Sequence, residues 1–138
     1  MRLVSKTLIA ILCLVAVGSL FAAAARAETF VPTISLKSGE STDLFNVYWA
    51  VNCRSVLKGT PEVEIIDGPP HVTVTFKEGM VTPRYQSCAK AVPGGTVVLT
   101  AAKDIEDPST SRLTLRVKYR GKDGNRQSSF VYDVALFP

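Results

Sequence analysis

Histidine is almost missing from this chain: His71 is the only one in 138 residues. A hydrolytic triad needs a general base, usually histidine, and no G-x-S-x-G nucleophile motif accompanies this one. His71 directly follows Pro69-Pro70, where a polar side chain at a strand entrance is the plainer reading. The chain also lacks a P-loop and a dinucleotide-binding glycine pattern. Cysteine is scarce, at Cys13, Cys53 and Cys88, without a C-x-x-C pair or the further ligands a metal site needs. No window carries helical periodicity or heptads. These absences argue against an enzyme, and the chain is read as having no catalytic residue, no metal and no cofactor. Asp104, Glu106 and Asp107 form the one acidic cluster. It lacks EF-hand spacing and reads as a solvated loop, with calcium binding left open.

Acidic residues are also missing before Glu28, and there the pattern is informative. Arg2 and Lys6 give a short positive start, and an apolar run from Leu8 to Ala25 is interrupted only by Gly18 and Ser19. Ala25-Arg26-Ala27 supplies a small-x-small cleavage site. Residues 1–27 therefore read as a secretory signal peptide, leaving a domain at 28–138. The run is at the lower edge of spanning length, and its alanine-rich end suits a peptidase better than an anchor, so no stable membrane insertion is expected after cleavage. Leu12 is too bulky to precede a lipidated cysteine, so Cys13 leaves with the leader. Cleavage removes Arg2, Lys6 and Arg26, leaving 13 basic residues against 12 acidic, a net of +1 where the whole chain has +4. Much of the basic character belongs to the leader, so nucleic acid is not an expected partner. A periplasmic or secreted bacterial protein fits best.

Two cysteines remain, Cys53 and Cys88, and in an oxidising compartment they read as one structural disulfide. They lie 35 positions apart, a spacing for which chain entropy gives roughly 4 kcal/mol of stabilisation.

The domain of about 110 residues fits one compact unit, and its recurring pattern is alternation with period 2. Phe45, Val47, Trp49, Val51 and Cys53 share one face of a candidate strand, which would bury Trp49. Leu113, Leu115, Val117 and Tyr119 alternate with Arg112, Thr114, Arg116, Lys118 and Arg120. Phe130, Tyr132, Val134 and Leu136 alternate with Val131, Asp133 and Ala135. Shorter candidates are Val31–Leu36, Glu62–Ile66, His71–Phe76 and Thr96–Ala102, most of them rich in β-branched residues. Turn residues separate them: Asp67-Gly68-Pro69-Pro70, Pro93-Gly94-Gly95, and the hairpin signal Gly121-Lys122-Asp123-Gly124-Asn125. About seven short strands predict an all-β chain, a single antiparallel β-sandwich.

From Thr33 to Pro138 this arrangement resembles the immunoglobulin-like superfamily, in particular the small Ig-like domains of exported bacterial proteins; a fibronectin-III-like topology stays open. The cysteines depart from the antibody pattern. Trp49 precedes Cys53, Cys88 falls before the late strands, and Gln86 stands where a tyrosine would precede the second cysteine. The pair is therefore expected to staple a loop to the end of the second strand.

Three surfaces are candidates for binding. The first is the irregular segment Lys77–Gly95, with Arg84, Tyr85, Gln86 and Lys90 around Cys88; Met80, Val81 and Thr82 within it are an alternative short strand. A staple lowers the ordering cost of such a loop on binding. The second is the set Arg112, Arg116, Lys118 and Arg120, placed on one strand face without interspersed acids, with Lys122 and Arg126 extending it. The third is the C-terminal strand, which another chain could join if it forms a sheet edge. The expected function is an exported, non-catalytic binding or structural module of the cell envelope, recognising a protein or an anionic envelope component. The alternative is a periplasmic inhibitor of a hydrolase that acts through the loop around Cys88.

Overall fold

The computed structural model describes residues 29–85 and 87–138, so the expected leader, Cys13, Glu28 and Gln86 lie outside the described residues. Among the described residues there is no helix. There are nine strands: β1 (Thr33–Lys37), β2 (Ser41–Val47), β3 (Ala50–Val51), β4 (Arg54–Ser55), β5 (Glu62–Asp67), β6 (Val72–Val81), β7 (Val92–Ala101), β8 (Ser109–Gly121) and β9 (Gly124–Phe137). They form a four-stranded sheet in the order β1-β9-β8-β5, a three-stranded sheet in the order β2-β7-β6, and the small hairpin β3-β4. β1 runs parallel to β9, and every other pairing is antiparallel.

Alternation explains the packing. Leu113, Leu115 and Val117 of β8 and Val134 and Leu136 of β9 enter one apolar cluster with Val47 of β2 and Val97 and Leu99 of β7. Side chains of both larger sheets thus share a core, an arrangement compatible with a β-sandwich. The β8–β9 hairpin closes at Gly121 opposite Gly124, around Lys122 and Asp123. Gly124 takes a φ of 128°, a region that only glycine enters readily.

Three local expectations change. First, the segment Phe45–Cys53 is not one strand. A register shift between Asp43 and Phe45 inserts an extra residue, and β2 ends at Val47. Phe45 and Val47 keep their expected face, but the alternation stops where the strand ends: Ala50 is buried, whereas Trp49 is only half-buried and Val51 is exposed. β3 and β4 follow as a tight hairpin, which raises the strand count from about seven to nine. Its two central residues, Asn52 and Cys53, have φ values of 49° and 57°, the left-handed pair that a two-residue hairpin turn requires. Second, Pro93-Gly94-Gly95 is not a turn but part of β7. A Cβ on Gly94 would meet the Val47 carbonyl oxygen at 2.3 Å, and one on Gly95 would meet the Lys77 carbonyl oxygen at 2.4 Å. The glycines let β7 lie tightly between β2 and β6. Third, β6 continues to Val81 and β7 starts at Val92, so the irregular segment shortens to residues 82–91.

Candidate functional site

Strand register alone places the charges of the cationic face. Arg112, Arg116, Lys118 and Arg120 alternate with the buried Leu113, Leu115 and Val117, so they share the outer face of the four-stranded sheet. That face is not free of acids, as the sequence of β8 implied. Neighbouring strands supply them. β5 sets Glu62 opposite Lys118 and Glu64 opposite Arg116, and β9 sets Asp133 opposite Arg112. Arg112 Nε donates to Asp133 Oδ1 at 3.1 Å, and Arg116 Nη1 donates to Glu64 Oε1 at 3.2 Å. Lys118 Nζ lies 3.2 Å from Glu64 Oε1 and 3.9 Å from Glu62 Oε1. Such exposed pairs are worth about 0–1 kcal/mol each, but they cancel the field that would draw an anion. Arg120 is the one member of the set without an ion pair among the described residues.

The disulfide forms the expected bond, Cys53 to Cys88, with the Cα atoms 5.5 Å apart. Its anchor differs from expectation. Cys53 sits at the tip of the β3–β4 hairpin, beyond the end of β2, because the chain turns there. The staple holds the 82–91 loop from one side, and the Arg84 N–H donates to Tyr48 Oη at 3.1 Å from another. Tyr85 is 94% exposed, and Arg84 and Lys90 are exposed as well.

Beneath this loop lies a slot that the sequence did not single out. A cleft of about 450 Å³ is lined by Phe45, Asn46 and Tyr48, by Thr82, Arg84 and Tyr85 of the loop, and by Tyr119 and Phe130. A second cleft of about 280 Å³ shares Tyr48 and Tyr119 with it and adds Trp49, Arg126, Gln127 and Ser128. Neither lining contains an aspartate or glutamate. Phe45 and Phe130 stack with their ring centroids 3.9 Å apart, and Tyr132 stacks behind them at 6.5 Å from Phe45. Burial raises the Tyr132 phenol above its ordinary pKa of 10.0.

Arg126 borders this slot, and it also borders a cleft of about 570 Å³ with Lys58, Glu62, Lys118 and Arg120 on the cationic side. It has the even parity of Phe130, Tyr132 and Val134 along β9, whose register is continuous with β8 from Ser109 to Gly121. Its guanidinium carbon lies 4.3 Å from the centre of the Trp49 ring, within cation–π range. Gly121 makes room for that ring, since a Cβ there would approach it to 2.3 Å. Its parity with Phe130 and Tyr132 was the available signal, but the sequence reading placed Arg126 in the turn and not in β9, which begins at Gly124.

The remaining candidates are dispersed. His71 is exposed, and its carbonyl accepts from the Ala102 N–H at 2.8 Å. Asp104, Glu106 and Asp107 are exposed in the loop between β7 and β8, on either side of the buried Ile105. Among the described residues no three His, Cys, Asp or Glu side chains gather where they could hold a metal ion. The end of β9 is not a free edge, because β1 covers Asp133–Phe137. No protein-family model, curated protein or solved structure matches the chain.

Proposed function

We propose that this chain is an exported, non-catalytic binding module of the bacterial cell envelope that takes an anionic partner in the slot beneath its stapled loop. The observation that carries this reading is a pair of aromatic clefts joined at Tyr48 and Tyr119, one bordered by Arg84 and the other by Arg126, with no carboxylate in either lining. Neither arginine has an ion-pair partner among the described residues. Both guanidiniums are exposed, so a carboxylate or other anion can reach them with charge-assisted hydrogen bonds beside the aromatic rings. Of the cationic strand face only Arg120 stays uncompensated, which makes that face the lesser contributor.

Export is supported by the leader pattern in residues 1–27 and by the disulfide, which suits an oxidising compartment. An immunoglobulin-like sandwich is supported by strand order. Sheets β2-β7-β6 and β9-β8-β5, with β1 parallel beside β9, correspond to the BED and GFC arrangement, and β3-β4 is then an insertion between the second and third strands. The inhibitor reading draws on Tyr85, which projects almost fully exposed from a loop held by a covalent staple.

Calorimetric titration with poly-L-glutamate tests the anionic reading. Wild type should bind, more weakly as salt rises, and Arg84→Glu with Arg126→Glu should bind at least about tenfold more weakly. Equal binding by the folded double variant would refute it. Inhibition of an envelope hydrolase that is lost with Tyr85→Ala alone would favour the inhibitor.

A further inference from the structure

β9 is only half covered along one edge. β8 pairs with it from Gly124 to Leu136, whereas β1 joins it only at Asp133 and beyond. The Asp133 N–H donates to the Pro32 carbonyl at 3.0 Å, so the backbone groups of Asp133 face the β1 side. Successive residues of a strand present these groups to alternate sides. Val131, Ser129 and Gln127 therefore turn their N–H and C=O groups to that same side, where no strand lies among the described residues. All three residues are exposed. Folded proteins usually blunt such an edge with proline, inward charge, a bulge or a covering loop. From Gly124 to Tyr132 the strand has no proline, its ladder with β8 has no bulge, and its one charged residue is Arg126.

The open edge runs beside the slot. Arg126, Ser128 and Phe130 alternate with the three edge residues and point to the slot side. A strand laid against this edge would send every second side chain between the two larger sheets, toward Arg126, Arg84 and the Phe45–Phe130 stack.

We propose that Gln127–Val131 is a docking edge for an extended acidic segment of a protein partner, which adds to the sheet as a further strand and places a carboxylate between Arg84 and Arg126. Main-chain hydrogen bonds would supply affinity and the alternate side chains specificity, as in strand addition generally. Charge selects this occupant. Two adjoining clefts, each bordered by one arginine and neither lined by an acid, complement an acidic strand, whereas a second copy of this chain would bring like charges together. The inference rests on the anionic-partner reading above and names the partner's chemistry.

The probe is a blocked peptide of about eight residues, the length of an ordinary strand, with glutamate and valine at slot-facing positions and threonine between them. Its twin carries N-methyl groups on the amides that would face β9. The plain peptide should bind and should protect the amides of Gln127, Ser129 and Val131 from hydrogen exchange; its N-methylated twin should bind at least about tenfold more weakly. Ser129→Pro removes one outward N–H while leaving the ladder to β8, and should cause a similar loss, whereas Ser128→Ala should cause none. Should Ser129→Pro fail to fold, the N-methylated peptide decides. Equal affinity for the two peptides, no binding by wild type, or self-association that protects the same amides without peptide would overturn the proposal. Poly-L-glutamate binding that needs Arg84 and Arg126 but ignores Ser129→Pro would remove strand addition and leave the anionic reading standing.

Discussion

Breaking the Cys53–Cys88 bond should cost this domain much of its stability, and the pattern across variants is as diagnostic as the size. The bond closes a loop of 35 residues, for which chain entropy predicts about 4 kcal/mol. That is a large share of the roughly 5–15 kcal/mol that holds a domain together. At about 4 °C of melting temperature per kcal/mol for a domain of this size, the loss is about 16 °C. Cys88→Ala and the double alanine variant should melt together, because one bond is lost in each. Cys53 adds a second effect, since its φ of 57° is one that glycine adopts freely and alanine does not. Cys53→Gly should therefore melt higher than Cys53→Ala by about 1 kcal/mol, or roughly 4 °C. Thermal unfolding followed by far-UV circular dichroism measures all four variants. Additive losses from the two cysteines, or Cys53→Gly melting below Cys53→Ala, would refute the reasoning.

Gly95→Ala should destabilise by roughly 1–3 kcal/mol, as overpacking does, since its Cβ would meet the Lys77 carbonyl and the Phe76 ring; urea unfolding gives the value. Reversing Arg112, Arg116, Lys118 and Arg120 to glutamate should lower stability, because it sets like charges against Glu62, Glu64 and Asp133. Each broken pair should cost about 0.2–1 kcal/mol, with part recovered in high salt; an unchanged melting temperature would contradict the ion pairs. The Tyr132 phenol is raised, so its contribution is complete below pH 10.0 and is lost as pH climbs from there through the folded value. Tyr132→Phe should accordingly lessen the alkaline fall in melting temperature, and an identical fall would argue against its burial. The exported form should begin at Glu28 and contain no free thiol, which intact mass with and without alkylation checks.

Strands β1, β5, β8 and β9, the first half of β6 and the second half of β7 were legible in the sequence because each needs only alternation and flanking turn residues. The β8–β9 hairpin and the disulfide were legible too, the first from Asp123-Gly124 and the second from cysteine count and compartment. What escaped was set by contacts between strands. Nothing local announces the end of β2 at Val47, yet it moves Trp49 from the expected core to a half-buried place beneath Arg126. Pro93-Gly94-Gly95 has turn composition, but its glycines serve close approach of β2 and β6. The cationic face looked unopposed because its acids, Glu62, Glu64 and Asp133, belong to other strands and meet it only through register. The slot unites residues from four separate stretches of chain, and alternation within any one of them cannot reveal it.

On the proposed reading, an anion should bind among Arg84, Arg126 and the aromatic rings, not on the outer cationic face. Amide chemical shifts of the labelled domain during titration with poly-L-glutamate measure it directly. The shifts should concentrate at Phe45–Trp49, the residues around Arg84, and Arg126–Phe130. Perturbations confined to Arg112–Lys118 and Glu62–Glu64 would contradict the account.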